Sequence, residues 1–312
     1  MRAFIFPGQG SQAVGMGAAL AEASRTAKDV FAEVDEALGQ NLFRLMREGP
    51  DEELKLTANA QPAIMAHSLA VFRALTKDGS VDLKKAASFV AGHSLGEYSA
   101  LCAAGSFDLI TTAKLLRTRG RAMQEAVPVG EGGMAALLGA DLELAQKIAD
   151  SAAHGEVCTV ANDNDPSQVV ISGAKAAIDR AVQIAKELGA KRAVPLPVSA
   201  PFHCPLMQPA AEAMADALSY VVVAPPAVPL FANVTADPTT DPDTIRNQLV
   251  EQVTGMVRWR ESVANMAEAG VEEFVEIGGK VLGAMVKRIA PDAKVTSVVS
   301  IDDIEALAKE IA

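Results

Sequence analysis

Residues 87–104 read Ala-Ser-Phe-Val-Ala-Gly-His-Ser-Leu-Gly-Glu-Tyr-Ser-Ala-Leu-Cys-Ala-Ala. A short apolar run predicts a buried strand over 87–92, and a helical pattern begins at Glu97. Between them, residues 92–96 fit the pattern Gly-x-Ser-x-Gly. A strand, this turn and a helix in succession predict a nucleophile elbow, which lifts the hydroxyl of Ser94 above the edge of a sheet. The alternative interpretation is a glycine-rich turn whose serine only caps the helix.

Strand-like and helix-like segments alternate along most of the chain, which predicts an α/β fold with a short parallel sheet. A different order, β-α-β-β-α-β, begins at Pro128 and is typical of a ferredoxin-like unit. We therefore expect a large α/β catalytic domain at 1–127 and 198–312, with a small ferredoxin-like domain inserted at 128–197. The elements expected in the insertion are at 133–138, 141–153, 157–161, 168–172, 174–188 and 192–197. Elsewhere we expect helices at 12–38, 59–77 and 108–126, and a polar loop at 233–242.

Composition excludes several classes of protein. Half of the 312 residues are hydrophobic and 21% are charged, which is the balance of a globular protein of about two domains. The formal net charge is −11 and no run of Lys or Arg occurs, so a nucleic-acid partner is not expected. The three cysteines are odd in number and show no CxxC spacing, which argues against a disulfide framework or a structural zinc site.

We expect a cytoplasmic protein that acts as a monomer and does not enter the membrane. The apolar run at the N-terminus is too short for a signal peptide and stops at Pro7. No stretch of 18 uncharged apolar residues occurs, so no transmembrane helix is expected. No pattern in the sequence indicates a subunit interface.

A serine nucleophile needs a base, and the chain has only four histidines. His93 lies inside the elbow, where its side chain should point away from Ser94. His67 is expected in the middle of a helix, and His154 falls in the inserted domain. His203 lies in a loop held by prolines where the chain returns to the large domain, which suits a base that must keep its geometry. No acid stands out as a third member, so the sequence supports a Ser–His dyad, although His203 as a packing residue stays open.

Three further segments remain ambiguous on residue patterns alone. Of the arginines at 117, 119 and 121, Arg119 lies nearest the apolar stripe of the predicted helix. Its guanidinium either reaches a cleft and binds a carboxylate, or extends from the flank of the helix and pairs with a structural acid. The loop at 7–12 either presents a backbone N–H to the site or is an ordinary turn. The acidic residues at 163–166 are interpreted as a turn between two strands rather than a metal site.

A family resemblance covers nearly the whole chain. Its motifs are Phe6-Pro-Gly-Gln-Gly-Ser-Gln12, Gly92-His-Ser-Leu-Gly-Glu-Tyr-Ser-Ala-Leu101, Arg119-Gly120 followed by Met123-Gln-Glu-Ala-Val-Pro128, Gln168-Val-Val-Ile-Ser-Gly173, Pro201-Phe202-His203 and Glu251-Gln252. In this order and spacing they resemble the malonyl-CoA:acyl carrier protein transacylases of fatty acid synthesis. The resemblance implies a hydrolase-like α/β core with a ferredoxin-like insertion.

The resemblance also implies roles for individual residues. Ser94 would be the acylated nucleophile and His203 its base. The backbone N–H groups of Gln9 and Leu95 would form the oxyanion hole. The remaining expected contacts are Arg119 as the clamp for the malonyl carboxylate, Gln252 as the residue whose main-chain carbonyl orients His203, and Met123 and Phe202 as substrate-binding residues, with Phe202 typical of malonyl-preferring forms.

The implied reaction is a ping-pong transfer of malonyl from malonyl-CoA to the phosphopantetheine thiol of acyl carrier protein, a transient partner. It needs neither a metal nor a redox cofactor. The alternatives are a serine hydrolase such as a thioesterase, a related acyltransferase of polyketide synthesis, and a non-enzymatic scaffold with a decayed site. One departure is the acidic segment 161–166, which we expect to lie away from the chemistry and to bear on partner docking.

Overall fold

The computed structural model describes residues 1–198 and 200–311. Its strands are β1 Arg2–Phe6, β2 Phe89–Gly92, β3 Gly132–Leu138, β4 Cys158–Asp165, β5 Gln168–Ala174, β6 Arg192–Pro195, β7 Leu230–Phe231, β8 Pro238–Thr239, β9 Glu273–Ile277 and β10 Lys294–Val298. Its α-helices are α1 Ala18–Ala23, α2 Arg25–Leu38, α3 Leu42–Glu48, α4 Asp51–Lys55, α5 Thr57–Arg73, α6 Leu83–Ala86, α7 Gly96–Ala103, α8 Leu109–Glu125, α9 Leu142–Ala153, α10 Lys175–Leu188, α11 Gln208–Ser219, α12 Pro242–Thr254, α13 Trp259–Glu268, α14 Leu282–Ile289 and α15 Ile301–Ile311.

The larger sheet has the strand order β10-β9-β1-β2-β7-β8 and is parallel except for the pairing of β7 with β8. Its central strand β1 is apolar without alternation, and residues 3–6 are fully buried, as expected for a strand covered on both faces. The prediction of an α/β fold with a parallel sheet is confirmed. Because Phe6 pairs with Gly92, the loop after β1 and the elbow after β2 meet at one edge of the sheet.

A second sheet is antiparallel throughout, with the order β4-β5-β3-β6. Along the chain its elements follow as β3-α9-β4-β5-α10-β6. One apolar cluster fills the space between this sheet and the two helices, and it is rich in alanine, which allows close packing.

The structure corrects several sequence-based boundaries. The helix expected over 12–38 begins only at α1, because Gly15 and Gly17 adopt positive φ, and it breaks again at Ser24, whose side chain caps α2. The helix expected at 59–77 ends in a π-helical turn over 74–78. The loop at 233–242 contains β8. The sequence analysis did not anticipate α3, α4, α6, β10 and α15.

The turn predicted over 163–166 is shifted, since β4 continues to Asp165 and only Pro166 and Ser167 turn toward β5. Asp163 and Asp165 lie inside β4 and are buried. The N–H of Asp163 donates to the carbonyl of Val257 at 3.0 Å, which joins the smaller sheet to the chain just before α13. Arg260 binds the carboxylate of Asp163, and Arg288 binds that of Asp165, each with a shortest N–O distance of 2.8 Å. These arginines neutralise the segment, so it is an internal joint and not a free acidic surface.

Within residues 1–198 and 200–311, no helix combines the length and apolar character needed to cross a lipid bilayer.

Candidate active site

The elbow is held by close backbone contacts. Ser94 follows β2 directly and has a φ of 54°, a left-handed conformation that a non-glycine residue adopts only when its surroundings impose it. A Cβ on Gly92 would overlap the backbone of Gly96, and a Cβ on Gly96 would overlap the carbonyl of Phe6. Both glycines are therefore required for the turn that raises the Ser94 side chain above the sheet edge.

Asn233 ties this turn to the neighbouring strand. It follows β7 and is fully buried. Its Oδ1 accepts the N–H of Ser94 at 2.8 Å, and its Nδ2 donates to the carbonyl of Gly92 at 2.7 Å. Sequence reasoning missed Asn233 because it stands in a segment interpreted as a plain polar loop. The available signal was an asparagine directly after a buried strand, at the same sheet edge as the elbow.

Asn233→Ala is expected to lower the free energy of unfolding by about 2–6 kcal/mol, because it leaves two buried backbone groups unpaired at about 1–3 kcal/mol each. Urea denaturation measures this loss. Asn265→Ala serves as the control, since Asn265 makes a single hydrogen bond to the carbonyl of Ala236 at a partly exposed position. Equal destabilisation by the two variants would contradict the role of Asn233.

The predicted dyad is assembled around Ser94. His203 Nε2 lies 2.8 Å from Ser94 Oγ, and His203 Nδ1 lies 2.8 Å from the main-chain carbonyl of Gln252. A carbonyl can only accept, so Nδ1 carries the proton and the lone pair of Nε2 faces the serine hydroxyl. The Gln252 carbonyl thus stands where the acid of a triad would stand, as the resemblance implied.

The surroundings keep His203 neutral. The residue is buried, and burial is the main reason that its pKa falls to about 3. The positive charge of Arg119 lowers the pKa of His203 further, while the hydrogen bond to Gln252 opposes both effects. The imidazole can therefore accept a proton from Ser94 at any physiological pH.

This low pKa predicts an unusual pH profile. The rate at which a neutral sulfonyl fluoride modifies Ser94 should stay constant within about twofold from pH 8 to pH 5, since the base becomes protonated only near its pKa in the free enzyme. A free imidazole would instead cost about tenfold per pH unit below its usual pKa of ~6.5. The modification rate is measured at each pH by quenching samples at set times, with His203→Ala as the unreactive control. A flat profile indicates the buried histidine, and a falling profile indicates a free imidazole. A decline that starts near pH 6.5 would contradict the structure.

Arg119 points inward from α8 and is 1% exposed. Its Nη1 donates to Gln61 Oε1 at 2.9 Å, and its Nη2 donates to Gln252 Oε1 at 2.8 Å and to Ser94 Oγ at 3.2 Å. Among the residues described, no carboxylate forms an ion pair with this guanidinium, and its Nε has no partner. A direct ion pair with a structural acid is therefore absent from the described residues, and the cation faces the nucleophile.

A cleft of about 410 Å³ opens onto Ser94. The predicted residues Gln9, Met123 and Phe202 line it together with His203 and Arg119. Its remaining lining residues are Gly10, Gln12, Lys55, Gln61, His93, Met134, Asn162, Leu196, Pro197 and Val198. The cleft is thus walled by both sheets and is wide enough for an acyl group with part of its carrier.

Two backbone N–H groups lie beside the nucleophile without partners. Leu95 follows Ser94 at the start of α7, and Gln9 lies in the loop after β1. Within the described part of the chain, neither N–H donates a hydrogen bond to another protein group. Free donors at a helix start and a neighbouring loop are the arrangement that an oxyanion hole requires.

The side chain of His93 is held against the smaller sheet and α13. Its Nε2 lies 2.8 Å from Asn164 Oδ1, its ring centroid lies 5.7 Å from that of Trp259, and the residue also lines the cleft. Asn164 belongs to the acidic segment of β4, and Asn162 of the same strand also lines the cleft. The expectation that this segment lies away from the chemistry is therefore wrong at Asn162, which lines the cleft together with Ser94.

His67 lies outside the cleft. His67 is buried in α5, and its Nδ1 lies 3.0 Å from the carbonyl of Gly278. The described residues contain no group of three or more His, Cys, Asp or Glu side chains arranged to hold a metal ion.

The sequence and fold of this chain are similar to those of known acyltransferases. The acyl transferase domain family matches residues 3–299. The malonyl CoA-acyl carrier protein transacylase of Escherichia coli (strain K12) is 45% identical over 288 residues, 92% of this chain and 92% of that protein. The crystal structure of acyl-carrier-protein-S-malonyltransferase from Bartonella henselae has a TM-score of 0.97 and 52% identity, covering 99% of each chain. A malonyl-transacylase in complex with a type II PKS acyl-carrier protein has a TM-score of 0.95 and 41% identity, also covering 99% of each chain.

The family match and these relatives extend over nearly the whole length of the chain. The relatives carry a single description in common, that of an enzyme transferring a malonyl group to acyl carrier protein. The chain therefore belongs to the acyl transferase domain family and, within it, to the malonyl-CoA:acyl carrier protein transacylases.

Proposed function

We propose that this acyltransferase moves the malonyl group from malonyl-CoA to the phosphopantetheine thiol of an acyl carrier protein through a malonyl ester of Ser94. One observation carries the proposal: Ser94 Oγ lies 2.8 Å from the basic nitrogen of His203 and 3.2 Å from the guanidinium of Arg119. The base makes the hydroxyl a nucleophile, and the buried cation fits an acyl group that ends in a carboxylate.

In the first half-reaction, Ser94 Oγ attacks the thioester carbonyl as His203 Nε2 takes the hydroxyl proton. The N–H groups of Gln9 and Leu95 donate to the oxyanion of the tetrahedral intermediate. The carbon–sulfur bond then breaks, and His203 returns its proton to the leaving CoA thiolate. Throughout, the Gln252 carbonyl stabilises the positive imidazolium through Nδ1–H.

The second half-reaction repeats these steps in reverse with a different thiol. The thiol of the carrier enters the vacated cleft and loses its proton to His203. The thiolate attacks the malonyl ester, and His203 protonates Ser94 Oγ as it leaves. A relative of this chain was solved in complex with its acyl-carrier protein, which supports a carrier as the acceptor.

Recognition of malonyl falls to Arg119, with Met123 and Phe202 as apolar walls of the same cleft. The guanidinium is preorganised by two amide oxygens, from Gln61 and Gln252, and it can add a carboxylate without recruiting another residue. An acetyl group would bring no anion to this buried charge, so its transition state would be stabilised less.

The same residues also bear on the cofactor requirement and the fold. His203 accounts for every proton transfer and the backbone donors for the oxyanion, so we infer a reaction without metal or redox cofactor. We also propose that the protein acts as a monomer in the cytoplasm. The antiparallel sheet with two helices on one apolar cluster supports a ferredoxin-like insertion, and the elbow after β2 supports a hydrolase-like core.

Intact-protein mass spectrometry tests the function. After mixing with malonyl-CoA the protein should gain one malonyl group, and addition of carrier protein should remove it and leave malonyl-carrier. A parallel sample with acetyl-CoA should gain far less acetyl. Release of free malonate without a lasting adduct or malonyl-carrier would instead identify a hydrolase.

A further inference from the structure

Glu97 is a buried acid that the proposed mechanism does not use. It lies in the first turn of α7, three residues after the nucleophile, and is 1% exposed. Its Oε2 accepts Gln252 Nε2 at 2.9 Å and the backbone N–H of Asn233 at 3.0 Å. Its Oε1 is equally buried, yet has no partner within the described ranges of the chain. An unpartnered carboxyl oxygen in the interior can take a proton without breaking a hydrogen bond.

The side-chain amide of Gln252 connects this acid to Arg119. Its Nε2 has three acceptors around it, namely Glu97 Oε2, the carbonyl of Ser94 at 3.0 Å and Asn233 Oδ1. This surrounding turns the opposite atom, Oε1, toward Arg119 Nη2 at 2.8 Å. The Gln252 side chain thus accepts a hydrogen bond from Arg119 and donates one to Glu97. The two charged groups are therefore coupled through one amide and do not form a direct ion pair.

Within the described structure, Arg119 is the charged side chain whose field acts on Glu97. Tyr98 and Cys102 lie on the same helix, and His67, His93 and His203 lie on adjoining segments. Burial raises the pKa of the phenol and of the thiol and lowers the pKa of each imidazole, so all five are neutral at physiological pH. For Glu97 itself, burial outweighs the attraction of Arg119 and raises the pKa to about 7.

We propose that Glu97 sets the selectivity for malonyl by balancing the charge of Arg119: it is the counter-anion in the empty site, and it takes up one proton from solvent when the malonyl carboxylate binds. The inference rests on the proposed function. The proton goes to Oε1, so the hydrogen bonds of Oε2 to Gln252 and Asn233 persist. The buried site then holds one cation and one anion both before and after malonyl binds, which avoids the cost of two anions beside one cation.

The sign of the pH effect follows from this exchange. Below about pH 7 Glu97 is already protonated in the empty site, and Arg119 attracts the malonyl carboxylate without competition. Above that pH the proton must first be taken up, so malonyl binding weakens as the pH rises, whereas uncharged acetyl is unaffected. If the carboxylate raises the pKa of Glu97 by about one unit, the malonyl-to-acetyl ratio of kcat/KM falls about fivefold between pH 6 and pH 8.

The experiment measures this ratio by Ser94 acylation from malonyl-CoA and acetyl-CoA between pH 6 and pH 8. Glu97→Gln keeps an accepting oxygen for Gln252 and Asn233 but cannot titrate, so its ratio should not change with pH. Glu273→Gln is the matched control, because it also removes a largely buried carboxylate, one that pairs with Arg2 at the opposite end of the sheet. It should keep the fivefold dependence of the wild type.

A wild-type ratio independent of pH, or one whose dependence survives in Glu97→Gln, would overturn the role of Glu97 and leave the transferase intact. Acylation by neither donor would refute the proposed function instead. A second measurement serves if Glu97→Gln does not fold. Calorimetry of Ser94→Ala in two buffers of different ionisation enthalpy should detect proton uptake at pH 7.5 with malonyl-CoA and none with acetyl-CoA, and equal uptake would refute the proposal.

Discussion

Ser94→Ala is expected to abolish the malonyl-enzyme and to slow malonyl transfer to carrier protein by about 10⁴-fold or more, the usual effect of removing the nucleophile of such a site. The reason is geometric. Ser94 Oγ is the one hydroxyl that His203 Nε2 contacts in the described structure, and the elbow aims it into the cleft. Intact mass after mixing with malonyl-CoA measures the adduct, and a carrier-protein assay measures the rate.

Ser99→Ala provides the control for this variant. Ser99 lies in α7 close to Ser94 along the chain, is fully buried, and its Oγ has no partner among the described residues. Its replacement should leave malonyl labelling within about twofold of wild type. Persistent labelling of the Ser94→Ala protein would show that another residue carries the acyl group.

Arg119→Ala is expected to reduce kcat/KM for malonyl-CoA by about 10³-fold, or about 4 kcal/mol, because it removes the buried cation that we propose as the partner of the malonyl carboxylate. Acetyl transfer should change by less than about tenfold, since acetyl makes no charge pair there. The kcat/KM of Arg119→Lys for malonyl-CoA should lie between those of the wild type and Arg119→Ala. An ammonium keeps the charge but lacks the planar guanidinium that donates to Gln61 and Gln252. Competition between malonyl-CoA and acetyl-CoA measures the selectivity directly.

Arg121→Ala is the matched control, since Arg121 lies on the same helix but faces solvent. It should leave both activities unchanged, and thermal unfolding should show that each variant is folded. Equal losses of malonyl and acetyl transfer in Arg119→Ala would assign Arg119 to the structure of the site rather than to selection of the acyl group.

Residues that act through local geometry could be predicted from the sequence. A strand, a tight turn and a helix follow one another within 87–104, so their relation needs no knowledge of distant contacts. His203 could be selected because the chain has few histidines and one of them lies in a proline-bounded loop. Arg119 could not be resolved in this way. A helical angle states which side of α8 the arginine occupies but not what covers that side.

The sequence by itself determined the α/β class, the elbow around Ser94 and the order of elements over 128–197, because these depend on residues close together in the chain. Only the tertiary structure decided the roles of Asn233 and Glu97, which lie on different elements and bind one another across 136 residues. It also decided the state of the acidic segment of β4. There the carboxylates of Asp163 and Asp165 are buried, since arginines from distant helices neutralise them. Burial and charge pairing depend on which surfaces meet, and local sequence carries no record of that.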